Sequence, residues 1–134
     1  MHAHTRDTCP GRWRLTVQEE FSASHQLDHF KGRCERLHGH NFGVSAVVEG
    51  DVLEADCEIL MDFGDLRRLL RQVLDPLEHA HLNEAEVLAG ANPSSENLAR
   101  YVFRALRALL PANVRLAEVS IDEKRGSRAT YLED

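Results

Sequence analysis

From His38 to Glu49 the chain runs with a period of two: His38, His40, Phe42, Val44, Ala46 and Val48 share one parity. In an extended chain alternate residues lie on one face, so this stretch predicts a strand whose histidines lead into its apolar side. Provided no bulge intervenes, His38 and His40 form a two-toothed clamp facing the interior. Water is scarce there, and the field of a metal ion is strong. Gly39 between them has no side chain, which leaves room for a neighbouring segment to come close. His25, from the preceding strand, can then supply a third nitrogen. Three imidazoles without a fourth protein ligand describe a zinc site with an open position for water or a substrate oxygen. A His-x-His pair also occurs by chance on solvated surfaces, so the clamp needs support from elsewhere in the chain.

Cys34 gives that support. It stands four residues before His38, flanked by Arg33 and Arg36, with Lys31 nearby. Positive charge and an adjacent metal favour the thiolate and with it reactivity at neutral pH. A free cysteine is otherwise a small buried apolar residue, which fits poorly with so much surrounding charge. The spacing is compatible with a base beside the metal and equally with a fourth ligand that would close the site.

The whole chain, 134 residues with a net charge of -6, is one domain. It can bury a single core but is short for an enzyme that must build a deep pocket alone, which points towards oligomerisation. The charge offers no basic surface for a nucleic acid. Three cysteines with no close pairing argue against a disulfide framework and suit a reducing cytoplasm. No stretch is long and apolar enough for a membrane, and no signal-peptide pattern opens the chain, so a soluble cytoplasmic protein is expected. Residues 1–11 are polar and aperiodic, a flexible tail in which His2, His4 and Cys9 receive no role. The domain proper is 12–134.

Trp13, Leu15, Val17 and Phe21 alternate with Arg12, Arg14, Thr16 and Gln18, a first strand with His25 just beyond it. Residues 26–33 form a loop that can cover a ligand. After the strand from His38, Gly50-Asp51 marks a turn and Glu58–Met61 a short return strand, with Cys57 as a packing residue. Asp62 caps a helix over Phe63–Leu74 with Phe63, Leu66, Leu70 and Val73 inside and Arg67, Arg68 and Arg71 in water. Asp75-Pro76 ends it. Ser94 or Ser95 caps a second helix with Leu98, Val102, Leu106 and Leu109 on one stripe, closed by Pro111. Val114–Ile121 and Ala129–Leu132 form the last strand pair. The order predicts an α+β domain, an antiparallel four-stranded sheet with two helices on one face.

The string Cys34-x-x-x-His38-Gly39-His40 resembles the carboxy branch of the 6-pyruvoyl-tetrahydropterin synthase family, in which the cysteine stands nearer the histidines than in the pyruvoyl branch. From Trp13 onward the likeness includes Phe21-Ser-Ala-Ser-His25, Met61-Asp-Phe63, Leu77-Glu-His79 with Leu82-Asn83, Asn92-Pro-Ser-Ser-Glu-Asn97, and Glu123. Several separated motifs in the right order weigh far more than any one of them.

The resemblance implies a tunnelling fold, in which three subunits close their sheets into a barrel and two rings stack into a homohexamer with active sites between subunits. It implies a zinc-dependent lyase of the deazapurine and queuosine pathway that converts 7,8-dihydroneopterin triphosphate to 6-carboxy-5,6,7,8-tetrahydropterin, releasing acetaldehyde and triphosphate. Zinc would sit on His25, His38 and His40, with Cys34 as base and His79 as second proton carrier. Glu123 would hold the guanidine-like edge of the pterin and belong to the proton relay. Glu78 stands where many members have aspartate; either it or Asp75 would orient His79. Lys31, Arg33, Arg36, Lys124 and Arg125 are candidates for the triphosphate. A pyruvoyl-type synthase and a non-catalytic pterin- or zinc-binding relative remain alternatives.

Overall fold

Strand β1, Trp13–His25, and strand β2, His38–Gly50, pair antiparallel along their whole length, with Trp13 opposite Gly50 and His25 opposite His38. His25 is therefore the last residue of β1 and not the first of a loop. Strand β3, Arg115–Lys124, pairs with β2, and β4, Ser127–Tyr131, pairs with β3, so the sheet order is β1-β2-β3-β4. The computed structural model describes residues 11–32 and 35–134, and the expected tail lies outside the described residues except for Gly11.

One face of the sheet is apolar, as the alternation predicts. Val17, Phe21, Phe42, Val44, Ala46, Val48, Val119 and Ile121 are buried there in a single core. β3 reaches this face by a bulge. Val47 faces Glu118 while Val48 faces Leu116, which leaves Ala117 as the extra residue and lets Leu116 and Val119 both point inward. A second shift falls between Asp122 and Lys124, so Glu123 also stands outside the regular ladder.

Two helices cover this face. Helix α1, Phe63–Leu74, starts at Asp62, whose carboxylate accepts from the Gly64 N–H at 2.7 Å. Helix α2, Ser95–Arg107, starts at Ser94, whose hydroxyl accepts from the Asn97 N–H at 3.1 Å. Each cap satisfies a donor that the first helical turn leaves free. α1 buries Leu66, Leu70, Val73 and Leu74; α2 buries Leu98, Ala99, Val102, Phe103 and Leu106. A fully buried Leu or Phe side chain contributes about 1.5–3 kcal/mol. Among the described residues, every one of the largest fully buried side chains is Phe, Leu or Ile except His25, an imidazole that needs polar partners in that company.

Some expectations need correction. Residues 58–61 form no strand: the Glu54 carboxylate accepts from the N–H groups of Asp56 and Cys57, at 3.0 and 2.6 Å, and closes a turn instead. That turn leaves Cys57 exposed and not packed. Phe63 and Leu109 are also exposed, because one opens α1 and the other lies beyond α2, whose last turn has already tightened, with the Leu109 N–H on the Leu106 carbonyl. Arg71 is not a free surface cation. It donates to the Glu20 carbonyl at 2.8 Å and to Glu78 at 3.3 Å, tying α1 to β1.

The opposite face of the sheet is polar. Ser22 pairs with Asn41, Ser120 with Thr130, and Arg128 with Asp122 through two bonds of 2.7 and 3.0 Å. Glu49, only 6% exposed, accepts from Arg14 at 2.9 Å and from Arg115, linking three strands. The Arg115 and Arg14 hydrogen bonds hold its carboxyl below the usual carboxylate range against the opposing effect of burial. A lowered folded-state pKa means that this stabilisation is complete above the unfolded value and is lost as pH falls through the folded one. Glu49→Gln is therefore expected to cost about 1–3 kcal/mol at pH 7 and to flatten the acid limb of the stability profile, measured by urea unfolding across pH. An unchanged acid limb would mean that the carboxylate contributes nothing.

Candidate metal centre

The end of the β1–β2 pair carries the site. His25 and His38 oppose one another, and His40 lies opposite Ala23, one step diagonally from His25. All three imidazoles project from the helix-side face, continuing the parity of Phe21 and Phe42. Their ring centroids lie 4.6 to 5.3 Å apart, and the Phe42 ring is 5.3 Å from His25 and 5.4 Å from His40. A Cβ on Gly39 would meet only the Ala23 carbonyl, at 3.6 Å, an ordinary contact. Close approach of β1 therefore does not require glycine there.

Tautomers follow from the partners. His25 Nδ1 is 2.8 Å from the Pro93 carbonyl oxygen, and His38 Nδ1 is 2.7 Å from that of Arg36. A carbonyl only accepts, so each Nδ1 carries the proton and donates. Each Nε2 then presents a lone pair, and these two nitrogens stand 3.1 Å apart. His40 Nε2 is buried and makes no hydrogen bond to the described residues, although Glu123 Oε1 is 3.2 Å from it. Burial lowers the His40 pKa, with Glu123 pulling the other way, which favours the neutral ring that a metal needs. His25, His38, His40 and Glu123 offer ligand atoms that all lie within 4.8 Å of one another. Lone pairs converging on one point repel unless a cation sits among them. This group fits a divalent metal ion, and the Nδ1–carbonyl bonds are the outer contacts that fix metal-binding imidazoles.

Glu123, the residue that the resemblance assigns to the pterin edge and the proton relay, stands against His40 and so joins the three histidines. Its place at the second β3 register shift, two residues after buried Ile121, aims it at the helix-side face. Its other oxygen accepts from the Ser95 hydroxyl at 3.4 Å.

The second group of expected residues comes from the segment after α1. The His79 N–H donates to the Ser22 carbonyl at 2.6 Å and the Ser24 N–H to the Ala80 carbonyl at 3.0 Å, so the segment runs parallel along the outer edge of β1. His79 adopts φ 58°, a conformation that non-glycine residues rarely take. Its ring is 81% exposed. His79 and His40 both line an open depression of about 520 Å³, together with Ser22 and Asn41. Glu78 does not bond the His79 ring, which lies 4.0 Å away. Its carboxylate accepts from the Ser22 N–H at 2.7 Å and from Arg71, and so pins the segment to β1. Asp75 lies exposed in the short turn after α1, and its carbonyl accepts from the Glu78 N–H. Cys34 and Arg33 lie outside the described residues. Lys31, Arg36, Lys124 and Arg125 are exposed.

This α+β sheet-and-helix domain gathers three imidazoles and a carboxylate at one end of its sheet, a group of side chains that could hold a metal ion. A family model described as 6-pyruvoyl tetrahydropterin synthase matches residues 14–134, and the chain belongs to that family of enzymes. It is 35% identical over 129 residues to the 6-carboxy-5,6,7,8-tetrahydropterin synthase of Synechocystis, covering 90% of this chain and 93% of that protein. It is 32% identical to the dihydroneopterin monophosphate aldolase of Pyrococcus furiosus over 110 residues, 82% of this chain and 89% of that one. The fold matches the solved 6-pyruvoyl tetrahydropterin synthase of Caenorhabditis elegans with a TM-score of 0.78 at 23% identity, over 92% of this chain and 97% of the other.

The purified chain is expected to hold one divalent ion per subunit, and His38→Ala to lose it, as measured by elemental analysis after dialysis. Full metal retention in that variant would remove His38 from the shell.

Proposed function

We propose that the chain is a cytoplasmic zinc-dependent lyase that converts 7,8-dihydroneopterin triphosphate and one water to 6-carboxy-5,6,7,8-tetrahydropterin, releasing acetaldehyde and triphosphate, in the route to deazapurines and queuosine. The observation that carries this reading is the convergence of the His25 and His38 Nε2 atoms beside His40 and Glu123. The Synechocystis relative of that activity supports it. Imidazole nitrogens with a carboxylate oxygen suit zinc. Zinc, when bound, supplies the Lewis acidity that lowers the pKa of a substrate hydroxyl and stabilises negative charge on its oxygen.

The remaining work falls to side chains. Cys34, as thiolate favoured by neighbouring positive charge, removes the proton from the substrate's side-chain carbon. His79 carries the second proton; it is among the residues that line the same depression as His40. Glu78 holds the His79 segment against β1 and is a positioning residue here. Glu123 accepts from the amino and ring N–H groups of the pterin, a planar edge that matches two carboxylate oxygens. A carboxylate turned onto the pterin leaves His40, so the two placements of Glu123 alternate. The reaction requires no redox cofactor.

The assembly is proposed to be a hexamer of two stacked trimers. β1 and β4 are the sheet's outer strands, and Trp13, Ile59 and Phe63 stand exposed on one side. Sheet edges and apolar patches of this kind are ordinarily covered. Sedimentation velocity should give six chains per particle; a fully active monomer would overturn this.

A second reading is favoured by the Pyrococcus relative, whose named substrate is a dihydroneopterin monophosphate. Mass spectrometry after incubation with the triphosphate and, separately, the monophosphate decides. The 6-carboxy product with acetaldehyde, formed from the triphosphate, is expected. A product that keeps all three side-chain carbons would make the chain a pyruvoyl-type synthase, turnover of the monophosphate alone would make it an aldolase, and binding without turnover would make it a non-catalytic relative. In the same assay Cys34→Ala should keep its metal and lose about a hundred- to ten-thousand-fold in rate. Normal metal with near-normal rate would disprove the base assignment, and lost metal would make Cys34 a ligand.

A further inference from the structure

Two asparagine side chains hold the backbone just beyond His25 in the same way. The Asn83 amide oxygen accepts from the Gln26 N–H at 2.9 Å, and its nitrogen donates to the Gln26 carbonyl at 2.7 Å. Asn92 does the same to Asp28, with both bonds at 2.9 Å. Each carboxamide therefore substitutes for a peptide group and satisfies both backbone atoms of a single residue. Only a carboxamide of this length carries one donor and one acceptor with that spacing. Both clamps come from the segment between α1 and α2, the segment whose Pro93 carbonyl accepts from His25 Nδ1. Asn92 immediately precedes Pro93, and Gln26 immediately follows His25. The Asn92 carbonyl is itself held by Asn97 Nδ2 at 2.8 Å, from the first turn of α2.

From this geometry we infer that Asn83 and Asn92 are positioning residues for the metal ligand His25. The inference rests on the reading of His25 as a ligand. β1 ends at His25, so beyond that point the sheet ladder no longer holds the chain. The two amides extend the backbone pairing past the end of the strand and fix the distance between His25 and the Pro93 carbonyl. That distance sets the His25 tautomer and ring plane, and with them the direction of the Nε2 lone pair. Loosening either clamp frees the ring to turn away from His38, and the affinity for metal falls. Outer partners of ligating histidines commonly contribute 10–100-fold to metal affinity.

The isosteric changes Asn83→Asp and Asn92→Asp test this. Each keeps the shape and the acceptor, removes the donor, and sets a carboxylate against a backbone carbonyl. Asn113→Asp is the control. Asn113 Nδ2 donates to the Leu60 carbonyl at 3.2 Å, at the other end of the sheet, so it loses the same kind of bond away from the histidines. The metal-free chains are titrated with Zn²⁺ against a chromophoric chelator, and their thermal unfolding is followed without metal. We expect zinc affinity to fall about 10–100-fold in both clamp variants and to stay within about threefold of the parent in Asn113→Asp. The added negative charge near the site works in the opposite direction, so a fall cannot come from charge. Parent-like affinity in both clamp variants, or an equal fall in Asn113→Asp, overturns the inference and leaves the metal reading standing. A parent chain that binds no zinc overturns both. Should a clamp variant fail to fold, Asn97→Asp removes only the support of the Asn92 carbonyl and must weaken zinc in the same direction.

Discussion

The pairing of His25 with His38 across β1 and β2 is the contact on which the rest of the site depends. Each is the terminal residue of its strand, so the register of thirteen paired residues determines whether the two imidazoles meet at all. The register is in turn set by the core. Phe21 stacks on Phe42 at 5.0 Å within the same pair of strands, and a one-residue slip would carry every apolar side chain to the polar face. Core packing and site geometry are thus one constraint. A substitution that disturbs the Phe21–Phe42 contact reaches the imidazoles through two residues of rigid ladder.

Around that pair the protein supplies partners in layers. Carbonyls of Pro93 and Arg36 determine which nitrogens are free, and buried Phe42 keeps one side dry. The segment between the helices does more than connect. It puts His79 along β1, sends Pro93 to His25, and closes the strand end with two side-chain amides. Three short turns, at Asp75–Leu77, Leu82–Glu84 and Glu86–Leu88, bury Leu77, Leu82 and Leu88, which gives this long connection a packed underside. Apolar anchoring beneath and hydrogen bonding above make it a rigid wall of the site.

The polar face of the sheet needs a different account. Ser120 pairs with Thr130 and Asp122 with Arg128 across β3 and β4, and Glu49 accepts hydrogen bonds from two arginines, joining three strands. A face so well paired does not require an apolar cover, unlike the face beneath the helices. This division lets the sheet present one side to a core and the other to water, as antiparallel sheets commonly do.

Periodicity revealed both long strands, the inward parity of His38 and His40, and the two helices, and residue type offered Asp62 as one cap and Ser94 or Ser95 as the other, because these depend on neighbours a few residues apart. The turn at Glu54 was invisible for the same reason that it forms. A carboxylate bonding two nearby N–H groups leaves no periodic trace, so 58–61 looked like a strand and Cys57 like a packing residue. Glu123 is legible as a candidate site residue but not as a neighbour of His40, since a bulge changes which side chains share a face and bulges depend on strand pairing. Nor could the sequence show that Glu78 serves Ser22 and Arg71 instead of the His79 ring, or that Asn83 and Asn92 grip the backbone beyond His25. The sequence by itself determined the four strands of the sheet and its two helices, the buried parity and the residue types able to bind a metal. Tertiary structure decided which of those side chains meet, because contacts between residues 13, 57 or 68 positions apart are fixed by the register of the sheet and the packing of the connection on it, which no local pattern records.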